Sequence, residues 1–155
     1  VLLITILVTT SLVAGQSRTR NASSPNSQQV SSTKGDHMKL NIKIGGKILT
    51  ATLADNATAQ DFVSVLPLKV SMNDLLGREK YANLPKTLSE KGPRTKRYEV
   101  GEMAYWSPSH DLAIYYRQDG ESIPSPGIIP IAKIDAGTEA FKVPGSVKVT
   151  IEFAK

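Results

Sequence analysis

The chain has no cysteine. That excludes a disulfide framework, thiolate catalysis and cysteine-ligated zinc. Oxidising compartments permit disulfides without requiring them, so the absence is compatible with export. Histidine is almost as scarce: His37 and His110 are the only two, and a three-histidine metal site cannot be built from them. No apolar run reaches the roughly twenty residues of a bilayer-spanning helix. No Gly-x-Ser-x-Gly elbow is present to expose a serine nucleophile. Gly45-Gly46 lies between two alternating apolar runs and opens no helix, so it is a turn and not a phosphate cradle.

A strong excess of one charge is also missing. The net charge of +5 is modest, and Asp55, Asp61, Glu79, Glu99 and Glu102 are interspersed with the lysines and arginines. A nucleic-acid binder concentrates basic groups on one face to displace condensed counterions. The single dense basic run, Lys91 to Arg97, contains Gly92 and Pro93 and is read as a solvated loop. No nucleic-acid partner is expected. With 155 residues, 40% hydrophobic and 21% charged, the chain has the size and composition of one globular domain.

What is present begins with Val1 to Ala14, an apolar run too short to span a membrane but matching the core of a signal peptide. Small residues at Val13 to Gly15 follow, with cleavage expected after Gly15. Residues 16–37 are rich in Ser, Asn, Gln and Thr and nearly free of apolar side chains. Such a segment cannot bury enough surface to offset the entropy of ordering it, and it is read as a polar tether. The expected organisation is a signal peptide over 1–15, a disordered linker over 16–37 and a folded domain over 38–155. The expected location is secreted or periplasmic, with no stable membrane anchor after cleavage. Asn21-Ala22-Ser23 and Asn56-Ala57-Thr58 fit the N-glycosylation pattern.

Within the domain, Leu40, Ile42 and Ile44 alternate with Lys39, Asn41 and Lys43, the period of a strand with one wet face. The Gly45-Gly46 pair then predicts a tight hairpin to a strand over Lys47 to Leu53. Thr58 to Asp61 resembles a capping box and predicts a two-turn helix from Ala59 to Leu66, stopped by Pro67, with Phe62, Val65 and Leu66 on one face. Further strands are expected over Leu68 to Met72, Glu79 to Leu84, Glu102 to Ser107, Leu112 to Arg117, Ile128 to Ile134 and Val147 to Phe153. Asp74 to Gly77 is read as a turn or single helical turn, and Gly137 to Phe141 as a turn or short helix. Pro85 to Tyr98 and Asp119 to Gly127 are read as long loops, and Pro130 marks an edge or a bulge. No alternation of strand and helix appears. The pattern predicts a mainly β protein, a closed antiparallel barrel of eight strands with one or two short helices.

The segments LNIKIGGKILTATLADNATAQDF, LPLKVSM, YWSPSHDLAIYYRQDG and PGIIPIAKID, in that order, resemble the bacterial cyclophilin-like fold family of small domains with no assigned biochemical role. The resemblance covers nearly all of Met38 to Lys155. It implies an eight-stranded barrel with a helix at each end. It does not imply prolyl isomerase activity. True cyclophilins carry an Arg-x-x-x-x-Phe stretch followed by Gln-Gly-Gly-Asp-Phe, and neither stretch exists here.

The densest local chemistry is the stretch Tyr105 to Asp119, which holds the only tryptophan and three of the five tyrosines. Neighbours on a strand face opposite sides, so one of Tyr105 and Trp106, and one of Tyr115 and Tyr116, must turn away from the core. Aromatic side chains beside an arginine suit a pocket for a small molecule or a peptide. The expected ligand-binding set is Tyr81, Trp106, Tyr116 and Arg117. No catalytic residue, metal ligand or cofactor is assigned, and Asp111 is read as capping its loop or accepting backbone hydrogen bonds at the start of its strand. The expected role is an exported, non-catalytic binding domain. A diverged prolyl isomerase and a protein–protein interaction module are the alternatives.

Overall fold

The structure, a computed structural model, describes residues 37–155. The expected signal peptide and nearly all of the expected tether lie outside the described residues. Eight strands follow one another along the chain: β1 (Lys39–Ile44), β2 (Lys47–Leu53), β3 (Leu68–Leu75), β4 (Glu79–Asn83), β5 (Glu102–Trp106), β6 (Asp111–Tyr115), β7 (Ile129–Ile134) and β8 (Val147–Phe153). Every pairing is antiparallel, and the strands close into a barrel in the order β1-β2-β7-β5-β6-β4-β3-β8. Closure leaves no free sheet edge, so Pro130 cannot mark one. It pairs with Ala104 where the β5–β7 register shifts, a position that tolerates a missing ladder N–H.

The alternation read in the sequence fills the barrel. Leu40, Ile42 and Ile44 of β1 meet Leu49, Ala51 and Leu53 of β2 in the interior. Each fully buried Leu or Ile contributes about 1.5–3 kcal/mol relative to leaving it in water. Gly45 and Gly46 both have positive φ, 53° and 77°, as a two-residue hairpin turn requires.

A helix lies at each end. α1 (Ala57–Val63) follows the C-terminal end of β2, and a 3-10 turn (Thr138–Phe141) precedes β8. The β1 registers Ile44↔Lys47 and Ile44↔Val149 place these at opposite mouths. Phe62 from one and Phe141 from the other are fully buried.

Two local expectations are corrected. α1 starts two residues earlier than Ala59 and ends before Val65. Its N-cap is Asn56, whose Oδ1 accepts the Ala59 N–H at 2.9 Å, and not Thr58. Thr58 is buried inside the first turn and donates to the Ser89 carbonyl at 2.6 Å. The Asn56 amide Nδ2 also donates to the Pro130 carbonyl at 2.9 Å, so in the folded domain the atom a glycan would occupy is already engaged. The second correction concerns β3, which continues past Met72 to Leu75. Leu76 and Gly77, both at positive φ, then turn the chain directly into β4, in place of a turn spread over Asp74 to Gly77.

The long segment after β4 folds onto the barrel. Leu84, Leu88 and Tyr98 are buried, Thr95 bridges to Ile128, and Arg94 donates to the Gly127 carbonyl and to Ser107. Asp61 of α1 ties the start of this segment down, accepting Lys86 Nζ at 2.7 Å and the Ser89 N–H at 2.7 Å. The Lys86 hydrogen bond, followed by the Ser89 N–H, holds the Asp61 carboxyl below its ordinary value. A depressed folded-state pKa contributes stability above the unfolded value, about 3.9, that is lost as pH falls through the folded value. Asp61→Asn is therefore expected to lower the melting temperature at pH 7. It should also flatten the loss of stability on acidification from about pH 4 to about pH 2. Thermal melts across that range check this, and an acid slope identical to that of the parent protein would count against it.

Candidate functional site: an aromatic cavity outside the barrel

A barrel strand has one face in the core and one in water, and β1 and β8 follow that rule. β6 does not: all five of its residues are buried. Leu112 and Ile114 point into the barrel, while Ala113 and Tyr115 belong to a second apolar cluster with Tyr98, Ala104, Ile123 and Ile128. This cluster lies on the outside of the barrel. The loops on either side of β5 and β6 fold back and cover it.

The register shows how a cavity arises there. Across β4, β6 and β5, residues opposite one another share a face. Glu79 lies opposite Tyr115, Tyr81 opposite Ala113, and Asn83 opposite Asp111. Ala113 also pairs with Ala104, and Asp111 with Trp106. The outward face thus has two alanines at its centre and large side chains around them. Small residues ringed by aromatics leave a hollow, and Ile123 and Pro124 from the loop after β6 border it. The cavity measures about 350 Å³.

Its polar groups are mutually satisfied. Arg78 is buried and its guanidinium is shared, Nε to Glu79 at 3.2 Å and Nη1 to Asp119 at 3.3 Å. The same guanidinium lies 5.5 Å from the centre of the Tyr98 ring, and Tyr98 stacks on Tyr115 with centroids 4.2 Å apart. Tyr98 donates its hydroxyl proton to Asp119 at 2.7 Å. That bond leads the effects holding the Asp119 carboxyl below its usual value, with the Glu121 N–H next. Burial pushes the Glu79 carboxyl up, against the pull of Arg78. Burial, then the Glu79 charge, pushes the Tyr115 phenol up as well. Asp111 accepts Asn83 Nδ2 at 2.6 Å and the Ser109 hydroxyl, so it ties its own loop to β4 through side-chain donors and not through backbone N–H groups. Among the described residues no buried side-chain polar atom lacks a partner, and no three His, Asp or Glu side chains converge as a metal site.

The four residues expected from the sequence are divided between two places. Tyr81 and Trp106 line the cavity. Tyr116 turns inward at the barrel rim and donates to Asp74 at 2.6 Å. Burial, then that bond, pushes its phenol up to about 12. Arg117 sits with Tyr116 in a separate groove beside Lys142 to Gly145 and donates to the Leu76 carbonyl at 3.3 Å. The neighbour Tyr115 takes the place in the cavity. Arg78, Glu79 and Asp111 complete the wall and were not singled out as ligand-binding residues by sequence. His110 is exposed, and its Nδ1 lies 3.0 Å from the Tyr105 hydroxyl. Ser107 and Ser109 are bonded to Arg94 and Asp111, so neither forms a serine–histidine pair.

A barrel of this order, with an outer cavity over its β4-β6-β5 face, can be set against known proteins. A family model described as the cyclophilin-like family matches residues 42–152. The chain belongs to the cyclophilin-like family. The cyclophilin-like barrel also resembles the solution structure of a hypothetical protein from Archaeoglobus fulgidus, at 22% identity and a TM-score of 0.63. The match covers 79% of this chain and 99% of that one. At that identity the likeness concerns the fold. None of the curated proteins matches this cyclophilin-like chain.

Proposed function

We propose that this cyclophilin-like barrel is an exported, non-catalytic binding domain. Its outer cavity holds a small molecule or a peptide side chain against Trp106, Tyr81 and Tyr115. The observation carrying this reading is the second apolar face of β5 and β6, folded under two loops yet hollow at Ala113. A structural face needs no hollow, since protein interiors pack closely. Ligand sites run from about 300 Å³ upward and combine apolar walls with a few fixed polar groups. At about 350 Å³ this cavity suits a guest the size of one ring or one side chain. The apolar run Val1 to Ala14 supports the exported setting.

Trp106 is the only tryptophan and lies half-buried in the cavity wall, so its fluorescence reports occupancy directly. Native mass spectrometry of the protein purified from its own source is expected to show a retained mass. Trp106→Ala should lose it, with affinity down at least about tenfold, as for a central aromatic anchor. An adduct retained equally by the parent and by Trp106→Ala would place the ligand elsewhere. The isomerase alternative has only the fold behind it, since Arg78, the arginine of the cavity wall, is already shared between two carboxylates.

A further inference from the structure

We infer that the group this cavity recognises is an organic cation, a protonated amine or amidinium carrying a small apolar or planar body. The inference rests on the binding-domain reading above and names its ligand class. Three observations combine. First, Arg78, the only cation of the wall among the described residues, is held by Glu79 at 3.2 Å and Asp119 at 3.3 Å, so it has no free charge to offer an anion. Second, Asp111 lines the cavity and is only 9% exposed, yet its two bonds come from neutral donors, Asn83 Nδ2 and the Ser109 hydroxyl. No ion pair among the described residues reaches it. A carboxylate withdrawn from water without a counter-charge is costly, and a guest cation would supply that charge. An ionised carboxylate has about four lone-pair positions, and two at Asp111 are in use.

Third, Trp106 pairs directly with Asp111 across the β5–β6 ladder, and Tyr81 lies one step further along the same face. Aromatic faces attract cations through the ring quadrupole, most strongly when water is excluded. A carboxylate flanked by aromatic side chains at the end of an apolar hollow is thus complementary to an ammonium with a hydrocarbon or ring attached. An anionic guest would meet Asp111 with no partner for its own charge. The protein as a whole is basic, so this preference belongs to the cavity and not to the surface.

The test uses the full chain, Trp106 fluorescence confirmed by calorimetry, and three probes of one shape: 2-phenylethylammonium, 2-phenylethanol and 3-phenylpropionate. A blocked tripeptide with a central lysine is a fourth arm and tells a free amine from a peptide side chain. The ammonium is expected to bind at least about tenfold more tightly than the alcohol or the carboxylate. Asp111→Asn should abolish the preference for the ammonium over the alcohol, with a cooperative melt and native far-UV circular dichroism showing that the fold survives. Equal binding of all three probes, or a preference that persists in Asp111→Asn, overturns the cation assignment and leaves the binding-domain reading standing. No response to any probe up to about 10 mM also overturns the assignment. The binding-domain reading itself fails separately, through the retained-mass experiment on Trp106→Ala.

Discussion

Arg78→Met is expected to destabilise the domain by about 3–5 kcal/mol at neutral pH, the usual cost of removing one partner from a buried ion pair. Glu79 is 6% exposed and would lose its only cationic contact among the described residues. Asp119 would lose its salt bridge, and the Tyr98 ring its guanidinium. The pH dependence identifies the cause. Burial already raises the folded-state pKa of Glu79, and losing Arg78 raises it further. A raised folded-state value contributes stability below the unfolded carboxyl pKa, about 4.3, and that contribution is lost as pH rises through the folded value. The deficit of Arg78→Met should therefore be smaller near pH 4 than at pH 8, the loss of the Asp119 pair being present at both. Adding Glu79→Gln should remove the slope and recover part of the stability. Urea denaturation of the parent, both single variants and the double variant at four pH values checks this. A deficit independent of pH would mean that Glu79 does not depend on Arg78.

Lys80→Met is expected to cost about 3 kcal/mol or more. Lys80 is fully buried, with its ammonium inside the barrel mouth. Nζ reaches the Val143 carbonyl at 2.6 Å, the Gly145 carbonyl at 2.7 Å and Asp74 at 2.9 Å, so its three protons have three acceptors. The Tyr116 ring lies 5.7 Å away. Methionine matches the length of the stem but leaves two carbonyls without this donor and the Asp74 carboxylate without its cation, with only the Tyr116 hydroxyl and the Gly77 N–H still donating to it. The Lys80 hydrogen bond, ahead of the one from Tyr116, holds the Asp74 carboxyl below its ordinary value. In Lys80→Met that value should move back up, measurable by carbon-detected NMR titration. For a domain of this size the melting temperature should fall by roughly 10 °C or more. A fall of under about 2 °C would show that the mouth is held by the surrounding packing and not by the ammonium.

Neither network was legible in the sequence, for the same reason. Glu79 and Asp74 are near in sequence, but Asp119 of the Arg78 pair and the Val143 and Gly145 carbonyls on Lys80 come from distant segments, and no local period brings those in. Lysine is almost never fully buried unless paired, so nothing in Glu79 to Leu84, a weaker strand by sequence, marks Lys80 as interior. Only the return of residues 143–145 over the barrel mouth supplies the acceptors that permit burial. The turn between β3 and β4 is expected two residues too early because leucine is not a residue that announces positive φ. The helix start was misplaced because Asn56 and Thr58 both carry capping side chains. What separates them is the Ser89 carbonyl, which draws the Thr58 hydroxyl into the domain.

The aromatic stretch shows where such reading stops. Its concentration in β5 and β6 was visible, and so was the rule that neighbours on a strand face opposite ways. Which member of the pair Tyr115 and Tyr116 faces out depends on register, and a slip of one residue reverses every side chain. The pairing of Glu79 with Tyr115 decides it: Tyr115 joins Tyr81 and Trp106 outside, and Tyr116 turns in toward Asp74. One local signal does mark the second covered face. Leu112 to Tyr116 is apolar without interruption, which marks a strand covered on both faces, unlike the alternating β1 and β8.

By itself the amino-acid order determined the barrel. Period-two alternation, paired turn glycines and the absence of strand–helix alternation are local properties, and each constrains the chain whatever its distant contacts. The cavity, its Asp111 held by neutral donors alone and the separation of Tyr81 and Trp106 from Tyr116 and Arg117 were decided only by the tertiary structure. They depend on ladder register and on which loop covers which face, and both are set by contacts between segments tens of residues apart.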